Sequence, residues 1–230
     1  MRRLLLLFSK PATPGRVKTR LAPELGEQRA AELHAAFVFD VVQSLVRGSF
    51  DLRFLWALDD GDVEPPSQLL PPEARSIDWR RQVGVDLGER LFRGLREAAR
   101  DASFVAAIGS DHPEIQPAHV EDAFRRLEAG ADVALGPVPD GGYYLIALHG
   151  AAVHERLFDD IPWSTEVVFE RTVERCRELG LRWETLAPGC DVDVAEDLDE
   201  LAGRLADEVR FCAATRALLT RWGRLDKLNS

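Results

Sequence analysis

Cysteine is scarce, with three in 230 residues, an odd number and no close pair of the kind that forms a zinc knuckle or a redox motif. Cys176, Cys190 and Cys212 therefore predict reduced thiols in a cytoplasmic protein and no disulfide framework. No apolar run reaches membrane-spanning length. Arg2-Arg3 ahead of Leu4 to Phe8 has the outline of a secretion signal, but the apolar stretch is too short and no small-residue cleavage site follows. Also missing are the Gly-x4-Gly-Lys-Ser/Thr phosphate loop, the Gly-x-Gly-x-x-Gly dinucleotide fingerprint and the Gly-x-Ser-x-Gly nucleophile elbow. Their absence argues against P-loop hydrolases, dehydrogenases and serine hydrolases. His34, His112, His119, His149 and His154 lack metal-ligand spacing. Positive charge is in deficit, 29 Lys and Arg against 39 Asp and Glu for a net charge of −10, which repels polyphosphate backbones and argues against general nucleic-acid binding.

What is present describes a folded chain, 46% hydrophobic and 30% charged, long enough to bury a substantial core. There is no internal repeat, low-complexity tract or linker, so residues 1–230 are expected to form one domain. Short β-like runs alternate with helical stretches, the pattern of an α/β domain, a three-layer sandwich around a mostly parallel mixed sheet. Strands are expected at Leu4–Phe8, Leu52–Leu58, near Ile77–Val83, at Phe104–Ile108, Asp132–Gly136, Tyr143–Leu148 and Leu181–Leu186. Helices are expected from about Gly26 to Val46, from Asp86 to Arg100, from Ala118 to Ala129, from Trp163-Ser164-Thr165 to Leu179, and from Ala195 onward. Asp86 with Glu89 reads as a capping box. Asp59–Pro72 is a polar, proline-bearing connection. Asp140-Gly141 is a turn signal, so the strand after it should run antiparallel.

Chemistry concentrates in a few places. Met1 to Pro23 contains six cations and no Asp or Glu. The loop after the first strand carries Lys10, Gly15, Arg16, Lys18 and Arg20 where an open α/β sheet borders its ligand crevice. Gly15 permits a tight turn, and Lys18 and Arg20 are suited to nucleotide phosphates; a solvated basic loop is the other reading. Asp111 follows the Phe104–Ile108 strand, where it can hold a divalent cation or simply form a turn before Pro113. Asp191 and Asp193, spaced by two in extended chain, point to one side, and two such charges about 4 Å apart repel by roughly 4 kcal/mol at an effective dielectric near ~20. A cation between them relieves that repulsion, while Asp193 can alternatively cap the next helix with Glu196. Asp140, Gly141 and Gly142 form a hairpin or let backbone approach a sugar or acceptor, with a neighbouring tyrosine as stacking face. Ser164 and Thr165 are N-cap or substrate-binding candidates.

Taken together, "FSKPATPGRVKTRLAP" (Phe8–Pro23), "QVGVDLGERL" (Gln82–Leu91), "IGSDHPEI" (Ile108–Ile115), "ALGPVPDGGYYLIAL" (Ala134–Leu148), "IPWST" (Ile161–Thr165) and "DVDVAEDL" (Asp191–Leu198) resemble the nucleotide-diphospho-sugar transferase superfamily with the glycosyltransferase-A fold. Within it they are similar to the radical-SAM/selenodomain-associated transferase 1 family, related to 2-phospholactate guanylyltransferase. The resemblance implies a transferase with a nucleotide-activated donor and Mg²⁺ or Mn²⁺ as cofactor. It implies a nucleotide or nucleotide-sugar donor and a small-molecule acceptor, with neither nucleic acid nor membrane as partner. Lys18 and Asp111 are then the candidate catalytic residues. Lys10, Gly15, Lys18, Arg20, Gln82 and Gly88 would serve the nucleotide. Asp140, Gly141, Gly142, Ser164 and Thr165 would serve the acceptor or sugar, and Asp111, Asp191 and Asp193 the metal. Glycosyl transfer is the leading reaction implied; nucleotidyl transfer releasing pyrophosphate, and nucleotide binding without turnover, are the other readings. The first loop departs from the Gly-x-Gly-x-Arg pattern of sugar-nucleotide pyrophosphorylases, and Asp111 stands outside an Asp-x-Asp triplet.

Overall fold

The first strand explains the architecture. In the computed structural model, which describes residues 1–58, 70–208 and 210–225, β1 (Arg3–Ser9) is central and buried along nearly its whole length. Side chains alternate across a strand, so a continuous apolar run needs cover on both faces. Leu5 and Leu7 meet Val38, Val41 and Phe124 in one cluster, while Leu4, Leu6 and Phe8 meet Leu91, Leu95 and Val173 in another. The result is a seven-stranded sheet between two helical layers.

The other strands are β2 (Asp51–Trp56), β3 (Asp78–Arg81), β4 (Phe104–Ile108), β5 (Val133–Pro137), β6 (Tyr143–His149) and β7 (Trp183–Thr185). Their spatial order is β3-β2-β1-β4-β6-β5-β7. All neighbours pair in parallel except β6, which runs antiparallel to both β4 and β5, as the turn signal at Asp140-Gly141 predicts. Helices α1 (Ala22–Leu25), α2 (Glu27–Leu45), α3 (Leu87–Ala98), α4 (Pro117–Glu128), α5 (Val168–Glu178), α6 (Ala195–Asp207) and α7 (Ala213–Arg221) complete the chain. The far side of α2, with Leu33 and Phe37, packs on α6 and α7 in a third cluster that also holds Val192. Most of the connection Asp59–Pro72 lies outside the described residues. Among the described residues no helix is long and apolar enough to cross a membrane, and the three cysteines are free.

Several local expectations are revised, each for a visible reason. Helix α5 begins at Val168, because Ser164 has φ +65° and the Thr165 hydroxyl donates to Pro162 O at 2.6 Å instead of capping a helix. Helix α6 is capped by Asp197, whose carboxylate accepts from Asp193 N at 2.8 Å and Val194 N at 3.0 Å, so the alternative Asp193–Glu196 box does not form. At α3, Asp86 accepts from Glu89 N at 2.8 Å, but Glu89 reaches back to Val85 N, one residue beyond the box position. The last strand is only Trp183–Thr185, with the following segment led across the sheet end as irregular chain.

Candidate active site

A cleft of about 640 Å³ opens at the carboxyl ends of β1 and β4, where ligands of open α/β sheets bind. The chain reaches it from several places far apart in sequence. β1 leads into Lys10 and the 18–20 segment, β3 into Gln82 and α3, and β4 into Ser110-Asp111; the β5–β6 loop brings Asp140, and the segment before α6 brings Asp191 and Asp193.

Local contacts fix the last of these segments. Val192 N donates to Asp111 O at 2.9 Å, and His112 Nδ1 lies 2.7 Å from Cys190 O. Tyr144 supports it from below: its hydroxyl donates to Ala187 O at 3.2 Å, and a side chain at Gly136 or Gly189 would collide with its ring. Small residues at 136 and 189 are what allow this close approach. Tyr144 is consequently buried and is not a free stacking face.

Lys18 is the centre of the cleft floor. Its backbone is left-handed at φ +46°, and its side chain is only 3% exposed. The ammonium donates to Val192 O at 2.7 Å and Asp193 Oδ1 at 3.0 Å, and it pairs with Asp111. These protein acceptors match the three N–H groups an ammonium offers. Burial favours the neutral amine, but Asp111 and Asp193 outweigh it and hold the Lys18 pKa above the ordinary lysine value. Burial likewise opposes the Asp111 charge, and Lys18 and His34 outweigh it, so that carboxyl lies below the usual range. The Asp111 side chain still keeps 41% of its surface accessible toward the cleft. Lys18 is thus an internal counter-ion to Asp111 and Asp193.

Asp191 stands differently. No ion pair between described residues engages it, and burial, followed by the charges of Asp111 and Asp193, pushes its carboxyl up to about 7. Among the described residues, no three His, Cys, Asp or Glu side chains are gathered into a metal cage. The donor chemistry nonetheless suits a hard divalent cation, because Mg²⁺ is usually held by one or two carboxylates with phosphate oxygens completing the shell.

Other predicted residues divide by position. Lys10 and Arg20 line the cleft, are exposed, and enter no ion pair between described residues. Gln82 also lines it, but its amide nitrogen is held by Ser9 O and Leu55 O, both at 2.9 Å, so it ties β3 to β1. Asp140, Gly142, Ser164 and Thr165 line the opposite part. Gly15, Gly88 and Gly141 are not among the residues that line the cleft. Gly15 turns at φ +77° beside the Glu27 carboxylate, and Gly88 gives Trp163 and Phe158 room to pack. Gly141, at φ +87°, presses on the Glu166 backbone and accepts from Phe169 N at 2.8 Å.

Sequence reasoning passed over Ser9, His34, Ser110, Arg90, Trp163 and Glu166. Ser9 Oγ lies 3.0 Å from Ser110 Oγ and 3.3 Å from His34 Nε2, which also lies 3.0 Å from Lys10 O. This buried cluster joins the ends of β1 and β4 to α2 and positions the backbone of Lys10. Only a helical face placing His34 toward the first strand could have signalled it.

The fold, with helices on both faces of a mixed sheet and one antiparallel strand beside β4, is that of the nucleotide-diphospho-sugar transferases. A candidate nucleotide-diphospho-sugar transferase from Desulfovibrio desulfuricans G20 superposes with a TM-score of 0.88 at 33% identity, covering 99% of this chain and 98% of the other. The chain belongs to the DUF2064 family, described as uncharacterized protein conserved in bacteria, whose sequence profile matches residues 45–165. CMP:2-keto-3-deoxy-manno-octonic acid synthetase complexed with CTP shares the fold at TM-score 0.55 and 12% identity, over 91% of this chain and all of the other. Glucosyl-3-phosphoglycerate synthase from Mycobacterium tuberculosis, in complex with Mn²⁺, UDP and glucosyl-3-phosphoglycerate, shares it at TM-score 0.50 and 15% identity, over 89% and 79%. No curated protein matches the sequence significantly.

Proposed function

We propose that this chain is a metal-dependent transferase acting on a nucleotide-activated donor, with glycosyl transfer as its reaction. The observation that carries this reading is the convergence of Lys10 and Arg20 with Asp111, Asp191 and Asp193 on one cleft at the carboxyl ends of β1 and β4. The structural relatives include a CTP complex and a UDP–Mn²⁺ complex, which supports a nucleotide ligand for this architecture.

In this reading Lys10 and Arg20 receive the donor's phosphate charge, since neither is neutralised by a described carboxylate. Lys18 holds Asp111 and Asp193 at a fixed separation, so their outward oxygens are preorganised. Asp111, Asp191 and Asp193 are the side chains that would hold Mg²⁺ or Mn²⁺, which when bound neutralises the charge growing on the departing phosphate. His34, Ser9 and Ser110 fix the β1 and β4 ends that carry these groups. Asp140 faces the acceptor side.

Nucleotidyl transfer is the second reading, favoured by Lys10 and Arg20, which line the cleft, form no ion pair between described residues and suit a departing pyrophosphate. A thermal-shift screen of nucleoside di- and triphosphates and nucleotide sugars, with and without Mn²⁺, identifies the donor, because a ligand selective for the native state raises its melting point. Doubly labelled donor then separates the reactions: label passed from the sugar supports glycosyl transfer, and label passed from the nucleoside monophosphate supports nucleotidyl transfer. Binding without turnover across a broad acceptor panel would replace both with a nucleotide-binding protein.

A further inference from the structure

Two of the three candidate metal carboxylates are held through their own side chains, since Lys18 Nζ lies 3.0 Å from Asp193 Oδ1 and pairs with Asp111. Asp191 has no such grip, because no ion pair between described residues engages it. Nor does regular structure fix its backbone, as residues 187–193 form neither strand nor helix. Its place in the cleft therefore depends on bonds made by the residues on either side of it. On one side, Val192 N donates to Asp111 O at 2.9 Å, and Val192 O accepts from Lys18 Nζ at 2.7 Å. On the other, Cys190 O lies 2.7 Å from His112 Nδ1.

A ring nitrogen that close to a carbonyl oxygen carries a proton, so His112 Nδ1 is the donor and Cys190 O the acceptor. That N–H is present whether the ring is neutral or charged, so the bond does not depend on how His112 titrates. The imidazole is buried, and its centroid stands 5.2 Å from that of Tyr144, whose hydroxyl donates to Ala187 O at 3.2 Å. Two neighbouring rings thus hold one irregular segment by carbonyls three positions apart. His112 directly follows Asp111, and Cys190 directly precedes Asp191. One bond therefore ties the chain that bears the first carboxylate to the chain that bears the second. We infer that His112 is a positioning residue for divalent-cation binding, its Nδ1–H bond to Cys190 O setting where Asp191 stands relative to Asp111. This rests on the metal reading above and adds to it the residue that brings the last carboxylate into place.

The test uses the full chain and separates the hydrogen bond from the packing of the ring. His112→Asn sets an amide N–H near the Nδ1 position and gives up the ring against Tyr144, whereas His112→Phe keeps a ring there and loses the donor. Substitution at a buried site costs stability, so each variant is first shown to melt cooperatively and is then titrated well below its midpoint. Should His112→Phe fail that check, His112→Leu takes its place with the same expected outcome. Mn²⁺ is titrated alone and with UDP or CTP present, and loss of the free-ion electron paramagnetic resonance signal reports binding without any turnover. The Mn²⁺ Kd should stay within about threefold of the parent value in His112→Asn and weaken at least about tenfold in His112→Phe, the size seen when a group that orients metal ligands is lost. His119→Gln alters the ring 6.1 Å from His112 and should leave the Kd at the parent value. A parental Kd in His112→Phe, weaker binding in His112→Asn than in His112→Phe, or an equal loss in His119→Gln would make His112 a packing residue and overturn the inference. A parent protein that takes up no Mn²⁺ under either condition, or an Asp191→Asn variant that binds it as the parent does, defeats the metal reading itself.

Discussion

Lys18 and Asp193, 175 positions apart in sequence, are joined by a 3.0 Å ion pair beneath the cleft, and the same ammonium pairs with Asp111. A lysine from the start of the chain therefore holds in register two carboxylates from its middle and its far end. Removing it leaves like charges facing one another in a partly desolvated floor.

Lys18→Met should accordingly destabilise the protein. Losing one partner of a buried pair costs about 3–5 kcal/mol, and the exposure of Asp111 and Asp193, about 40% each, reduces the expectation to about 2–3 kcal/mol. Urea unfolding measures it directly. A midpoint unchanged from the parent protein would mean that the ammonium does not bind the floor together.

Lys10→Ala and Arg20→Ala should behave in the opposite way. Each is exposed and makes no ion pair with a described residue, so the melting temperature should hold while nucleotide affinity falls, by about tenfold for a lost charge-assisted contact. Calorimetric titration with the donor nucleotide reads this, and equal affinity in both variants would take the first loop out of the site.

Asp197→Ala and Asp193→Ala separate capping from function. Asp197 alone satisfies the Asp193 and Val194 amides at the start of α6, so its loss should cost about 1 kcal/mol with turnover retained. Asp193→Ala should lower metal-stimulated turnover to a much greater degree than Asp197→Ala does. The reverse ranking in turnover would restore Asp193 as a merely structural residue.

Gly141→Ala should distort the acceptor side. At φ +87° an added Cβ is strained, and here it would also overlap the Glu166 backbone. The combined penalty is on the order of 2 kcal/mol or more. The clearest readout is a raised acceptor KM with donor Kd preserved. A variant with parental stability and KM would show that the two loops are not pressed together in solution.

Acid should weaken the histidine contributions to the fold, while protonation of Asp191, whose carboxyl burial pushes up to about 7, acts in the opposite sense. Burial lowers the pKa of both His34 and His119 below the ordinary 6.5. The unfolded chain therefore binds more protons, and the stability these groups contribute is present above pH 6.5 and lost as pH falls through the lower folded-state values. Protonation of His119 also breaks a specific contact, since its Nδ1 accepts from Gln116 N at 3.0 Å. Thermal melts between about pH 7.5 and 5 should show the midpoint of the parent protein losing ground to that of His119→Gln as the pH falls, with protonation of Asp191 acting equally in both; an unchanging difference would assign the acid sensitivity elsewhere.

The strands and helices were legible because their periodicity is a local property. Leu4–Phe8 and Phe104–Ile108 are apolar throughout since both faces of the central strands are covered, and the turn at Asp140-Gly141 correctly marks the antiparallel β6. The helix starts were less legible. Ser164-Thr165 and Asp193 both look like caps, yet the left-handed Ser164 and the competing Asp197 decide otherwise, and those are matters of what packs alongside.

For the site, residue types at the ends of β1 and β4 could be read directly, because the parallel order sends every such loop to the same edge. By itself the sequence determined the layered α/β fold, the acidic balance and the set of charged residues available to the cleft. Only the tertiary structure decided which charges cancel. Lys18 is spent on Asp111 and Asp193, while Lys10, Arg20, Asp140 and Glu166 face the cleft without an ion partner among the described residues. Pairing depends on distances of a few ångströms between segments more than 90 residues apart, and no local pattern encodes such a distance.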